Sequence, residues 1–197
     1  MRSQWILPSA PQTGDGANGA ACRLCWNFEP SSKRPRLHHK TGQKVSLVGW
    51  SLGGIFALYG AQQAPECVRQ VITLGSPVNM DPAGETNLPR ILNVLYRLVA
   101  HPMGPARKLD LLAAPVSCLY RLSDGVVPPE QATVDGDASR RENIRVPACH
   151  FGMAVNPVVL WVVADRLAQP EGRWRPVAPS GVAGWIYDAL TPDLLPI

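Results

Sequence analysis

Long apolar runs are missing from this 197-residue sequence. The two longest uncharged stretches, Val45 to Pro65 and Val146 to Ala164, are each long enough to cross a bilayer. The first contains Ser51, Gln62, Gln63 and several glycines, however, and the second contains Pro147, His150, Asn156 and Pro157. Neither is a continuous apolar helix, and both read as buried core rather than membrane spans. The N-terminus has no apolar signal-peptide region, only Trp5-Ile6-Leu7 followed by Pro, Gly, Gln and Asp, so the default expectation is a cytoplasmic protein. Charge of one sign is also scarce. Lys and Arg total 19 against 15 Asp and Glu, a net charge of +4 with no long basic stripe, and no nucleic-acid partner is implied. The run Lys33 to Lys40 reads as a solvated loop.

Cysteine is sparse and odd in number, five in all and scattered, which argues against a disulfide framework and for free thiols. Cys22-Arg-Leu-Cys25 has half-site spacing, but no second such pair or nearby histidine pair completes it. No metal and no cofactor are expected. With 46% hydrophobic and 17% charged residues, the composition excludes a disordered tail, a collagen-like repeat and a coiled coil, and there is no internal repeat. What the sequence has in quantity is proline (20) and glycine (17), which predict many turns and no long uninterrupted helix.

The chain divides by pattern. Residues 1–40 sustain neither a period of 2 nor one of 3.6 and are expected to be irregular or disordered. From Thr41, strands and helices alternate. Val45 to Val48 reads as a strand ending at Gly49, and Leu52 to Ala64 as a helix ended by Pro65. Val68 to Leu74 is a second strand, closed by Gly75-Ser76-Pro77. Leu88 to Ala100 has the spacing of an amphipathic helix, and Val116 to Tyr120 and Asn143 to Val146 are further strands. Asn156-Pro157 predicts a capped helix over Val158 to Leu167. Such alternation specifies an α/β fold, a mainly parallel sheet with helices on its faces. The domain spans 41–176 and a Pro/Gly-rich tail comes after it over 177–197.

Gly49-Trp50-Ser51-Leu52-Gly53 matches G-x-S-x-G. Its chemistry needs a strand before the serine, a sharp turn and a helix after it, and both flanks are present. Glycine at 49 and at 53 is expected to relieve collisions across the turn, and Gly54 to let the helix approach the sheet. A serine nucleophile needs a base, and the base an orienting carboxylate. Of the two histidines downstream, His101 closes a helix, whereas His150 lies in a loop beyond a strand end, the edge at which open α/β sheets assemble their sites. Asp124 stands directly after the strand Val116 to Tyr120 and is favoured as the acid. Asp110 precedes that strand, and Asp135 and Asp137 lie deeper in a polar loop.

Four stretches together resemble bacterial lipases and esterases of the α/β-hydrolase superfamily: Gly49 to Gly54, Ile72 to Pro77, Ser123 to Pro128, and His150 with the Asn156-Pro157 helix start. The resemblance covers Thr41 to about Pro176. It implies a small helical cap, placed at about 79–103, and cofactor-free hydrolysis of a small-molecule or lipid-like acyl ester, with Ser51 as nucleophile, His150 as base, Asp124 as its partner and the Leu52 amide as an oxyanion donor. The pattern departs from the family before Val45, where no strand and His-Gly loop supply the second oxyanion donor. This predicts an N-terminally incomplete sheet of about four strands, with the nucleophile strand at or near an open edge and self-association through that edge. The alternative function is a truncated, weakly active or non-catalytic hydrolase-like scaffold.

Overall fold

The computed structural model describes residues 4–8, 42–79 and 112–178. Four strands form its parallel core: β2 (Val45–Trp50), β3 (Val68–Leu74), β4 (Val116–Tyr120) and β5 (Arg141–Arg145), hydrogen-bonded in sequence order. Helix α1 (Leu52–Gln63) follows β2, a short α2 (Pro129–Ala132) follows β4, and α3 (Pro157–Ala168) follows β5. The expected α/β layering is therefore present, with β3 and β4 spanning the residues read for them from the sequence.

Alternation along the strands sorts the core into two layers. Val45 and Leu47 of β2, Val71 of β3 and Val116 and Cys118 of β4 pack with Ile55, Ala57, Leu58 and Ala61 of α1. Their neighbours Val48, Trp50, Ile72, Leu74, Leu119 and Ile144 pack on the opposite face with Val159 and Val162 of α3. Both faces of the sheet are thus covered, as parallel strands require.

The N-terminus corrects the sequence reading. Gln4–Pro8 is a strand, β1, running antiparallel along β2 with Gln4 opposite Gly49 and Pro8 opposite Val45. Among the described residues the sheet has five strands rather than about four, and β2 lies one place in from the edge strand β1, near the edge but not at it. The five-residue segment escapes period analysis because it is too short for alternation to stand out, and Pro8 tolerates only the end of such a strand. Residues 1–3 and 9–40 of the segment expected to be irregular lie outside the described residues. So does most of the expected cap. Only Asn79 at its start is described, its amide donating to the Gln131 carbonyl at 2.9 Å. Residues 179–197 of the tail are likewise outside.

Strand β5 begins two residues earlier than its apolar pattern indicates. The buried Arg141 can open the strand because its guanidinium donates to the carbonyls of Ala114 at 3.0 Å and Leu112 at 2.8 Å. Helix α3 starts as expected, with the Asn156 side chain accepting from the amides of Val158 and Val159. At its other end Arg69 Nη2 donates to the Leu167 carbonyl at 3.0 Å and Gln70 Nε2 to the Arg166 carbonyl at 2.8 Å, which satisfies groups that a helix C-terminus leaves open. Arg166 itself is buried and pairs with Glu142 of β5 at 2.9 Å, and the other Glu142 oxygen accepts the Val177 amide at 2.6 Å. This polar clasp fastens the start of the tail to the sheet.

Two free thiols are described, Cys118 and Cys149. Cys118 is buried in the sheet, and burial pushes its pKa up to about 12. Cys67, by contrast, is disulfide-bonded, which corrects the expectation of free thiols throughout. No helix among the described residues is long and apolar enough to cross a membrane.

Candidate active site

The turn from β2 into α1 is the structural centre of the site. Ser51 caps α1 in the left-handed region, with φ 53° and ψ −125°, and is the one non-glycine residue at positive φ among the described residues. A serine in that region costs conformational energy and persists only where the surroundings enforce it. They do so on both sides: the Ser51 amide donates to the Leu74 carbonyl of β3 at 2.9 Å, and the Gly54 amide closes the turn on the Ser51 carbonyl at 3.0 Å. Leu52 is the first residue of α1, where an amide has no acceptor within the helix and the helix dipole favours negative charge.

Two glycines explain how so tight a turn closes. A Cβ at Gly49 would lie 2.3 Å from the Gly53 carbonyl oxygen and 2.4 Å from the Gly54 nitrogen; at Gly54 it would lie 2.1 Å from Ser76 Oγ. The third expectation fails, since a Cβ at Gly53 meets nothing within 4 Å. Gly49→Ala is expected to destabilise the fold by about 3 kcal/mol or more, at the upper end of overpacking costs, because the obstructing atoms are backbone. Urea unfolding measures this, and an unchanged midpoint would refute it.

Asp124 and His150 arrive from the ends of neighbouring strands. Asp124 lies four residues past β4 and is buried; its Oδ1 accepts the amides of Val126 at 3.0 Å and Val127 at 2.8 Å. His150 opens a 3₁₀ turn, His150–Gly152, in the loop between β5 and α3, and is 3% exposed. Its Nδ1 lies 3.1 Å from Asp124 Oδ2 and 3.0 Å from Oδ1, and its Nε2 lies 3.1 Å from Ser51 Oγ. The structure therefore brings Ser51, His150 and Asp124 into one continuous chain of contacts. Because an ionised carboxylate only accepts, the proton of neutral His150 belongs on Nδ1, leaving Nε2 as an acceptor for the serine hydroxyl.

Burial pushes the Asp124 carboxyl upward, but the hydrogen bond from His150, the Val127 amide, the imidazole's charge and the Val126 amide outweigh it, and its pKa is lowered. The competing aspartates do not approach. Asp135 and Asp137 are exposed, and Asp137 accepts from the amide and hydroxyl of Ser139 in its own loop. His101 and Asp110 lie outside the described residues.

Gly75 is a residue whose part in the site the sequence does not make evident. It has φ +53°, and a Cβ there would stand 3.1 Å from Asp124 Oδ2, 3.2 Å from His150 Nδ1 and 3.0 Å from Met153 Sδ. Its lack of a side chain makes room for the aspartate–histidine pair. A glycine immediately after a strand that ends beside the serine turn is the available signal, but in sequence it serves equally well as a plain strand terminator.

Among the described residues, no three or more His, Cys, Asp or Glu side chains are arranged to hold a metal ion. The site's fixed features are a strand–serine–helix turn, glycines without space for side chains, and a parallel sheet that delivers two further polar residues to one edge. A family model described as the alpha/beta hydrolase fold matches residues 33–101, which contain the β2–Ser51–α1–β3 unit. The fold is α/β-hydrolase-like. Among solved structures, the chain is similar to the mature form of Bacillus licheniformis lipase BlEst2, at 21% identity over 67% of this chain and 69% of that one, with a TM-score of 0.48. No curated protein matches this hydrolase-fold chain.

Proposed function

We propose that this chain is an α/β hydrolase that cleaves carboxylic esters through an acyl-enzyme, with Ser51 as nucleophile, His150 as general base and acid, and Asp124 as the group that orients and stabilises the imidazole. The observation that carries the reading is the continuous contact from Ser51 Oγ through His150 Nε2 and Nδ1 to a buried Asp124 carboxylate, at 3.1 Å on the serine side and 3.0–3.1 Å on the acid side. In the reaction, Ser51 Oγ attacks the acyl carbonyl as its proton passes to Nε2. The imidazolium then returns that proton to the departing alkoxide as the carbon–oxygen bond breaks. Water, deprotonated by His150, releases the acid and restores Ser51. The Leu52 amide, at the N-terminus of α1, supplies one donor for the oxyanion. Asp124 remains ionised throughout. The substrate class is a small-molecule or lipid-like acyl ester.

A fluorophosphonate tests the reading directly, because it needs an activated serine and no knowledge of the natural substrate. Purified, monodisperse protein is expected to gain one phosphonyl group, mapped by mass spectrometry to Ser51, and to lose p-nitrophenyl ester hydrolysis in proportion. Folded protein that stays unlabelled would overturn the proposal and leave a hydrolase-like scaffold without catalysis.

A further inference from the structure

Trp50, the residue in the variable position of the G-x-S-x-G turn, makes a contact that the chemistry above does not use. Its indole Nε1–H donates to the backbone carbonyl of His150 at 2.9 Å, across a sequence separation of 100 residues. The two rings also pack, with centroids 5.6 Å apart and planes tilted by 43°, and Phe151 stands edge-on to both, 6.2 Å from Trp50 and 5.5 Å from His150. We infer that Trp50 is a positioning residue: its indole N–H fixes the His150 backbone, and with it the imidazole, relative to the adjacent Ser51. The inference rests on the proposed catalytic roles of Ser51 and His150.

The placement of the bond is what gives it that role. His150 sits in a loop whose other backbone bonds near it are largely internal, from the amides of Gly152 and Met153 to the Cys149 carbonyl. Those bonds shape the turn but do not set its distance from β2. The side chain of Asp124 restrains the far nitrogen of the ring, on the side away from the serine. Trp50 ends β2 and is covalently joined to Ser51, so a bond from its side chain to the His150 carbonyl couples the nucleophile and the base through one residue. The indole is itself held, packed against the buried cluster of Ile72, Leu74, Val159 and Val162. A rigid, anchored donor suits this task better than a flexible one, since a displacement of about 1 Å at a reacting pair can cost on the order of a hundredfold in rate.

The test is Trp50→Phe, which retains an aromatic ring in the core and removes the N–H. Expected is a fall in kcat, and in the second-order rate of fluorophosphonate labelling, of about tenfold to a hundredfold, with KM and the thermal unfolding midpoint close to those of the parent protein. A purely structural tryptophan would lower the midpoint and leave labelling of the remaining folded protein unchanged. Labelling of Trp50→Phe at the parent rate overturns the positioning role while leaving the Ser51 assignment intact; failure of the parent protein to label overturns both. Should the variant not fold, the parent protein decides the matter. A Trp50 indole proton, followed by ¹⁵N–¹H spectroscopy, that exchanges slowly and shifts when Ser51 is phosphonylated supports the role, and one that exchanges at the solvent rate and does not respond refutes it.

Discussion

Ser51→Ala is expected to abolish ester hydrolysis, lowering kcat by about 10⁶, the order of loss seen when a serine hydrolase is deprived of its nucleophile. The substitution removes one oxygen. In the proposed mechanism no acyl-enzyme forms without it, and neither His150 nor Asp124 can compensate, because there each acts only through the hydroxyl that Nε2 faces at 3.1 Å. The fold has little stake in that oxygen. The strained φ of 53° is imposed by the Leu74 carbonyl on one side and the Gly54 amide on the other, and both bonds involve Ser51 backbone atoms that alanine retains. Stability is therefore expected to change by only about 1 kcal/mol, the worth of one side-chain hydrogen bond. Initial rates on p-nitrophenyl acetate, set beside urea unfolding of the two proteins, separate these effects. Equal rates would sink the nucleophile assignment, whereas a collapse of stability would show that the hydroxyl supports the turn.

The serine turn and the parallel sheet were legible in sequence for local reasons. A short β-branched run, a glycine-bracketed serine and a proline-stopped helix each constrain a few adjacent residues, and Val68 to Leu74 and Val116 to Tyr120 read as strands because both of their faces are buried. The relative placement of Asp124 and His150 could be reasoned only from topology: parallel strands deliver the loops at their C-terminal ends to one edge of the sheet. Features that depend on partners remote in sequence failed to show. Gln4–Pro8 becomes a strand because β2 offers an edge to pair with, not because its own pattern demands it. Arg141 begins β5 because carbonyls at 112 and 114 receive its guanidinium. The need for glycine at 75 arises from atoms of residues 124, 150 and 153, and no pattern local to 75 encodes them. Gly53 errs in the other direction, for a motif position that suggests a collision faces open space.

Asp124→Asn carries the other large expected effect, a fall in kcat of about 10⁴ with little change in KM. The side-chain shape is conserved, and the amide oxygen can still accept from Val126 and Val127 as Oδ1 now does at 3.0 and 2.8 Å. What is lost is the demand that Nδ1 carry the proton. An amide NH₂ can donate to Nδ1 instead, which moves the imidazole proton to Nε2, where it faces Ser51 and cannot take the hydroxyl's proton. The substitution should also change how the protein responds to acid. Because the folded-state pKa of Asp124 lies below its unfolded value, the carboxylate contributes stability that is complete above about pH 4 and is lost as pH falls through the folded pKa. Unfolding midpoints measured from neutral pH down to about pH 2 should therefore decline less steeply for Asp124→Asn than for the parent protein. Parallel acid profiles, or a variant retaining more than about a tenth of the parent kcat, would show that the carboxylate beside His150 is not what sets the tautomer on which the proposed base depends.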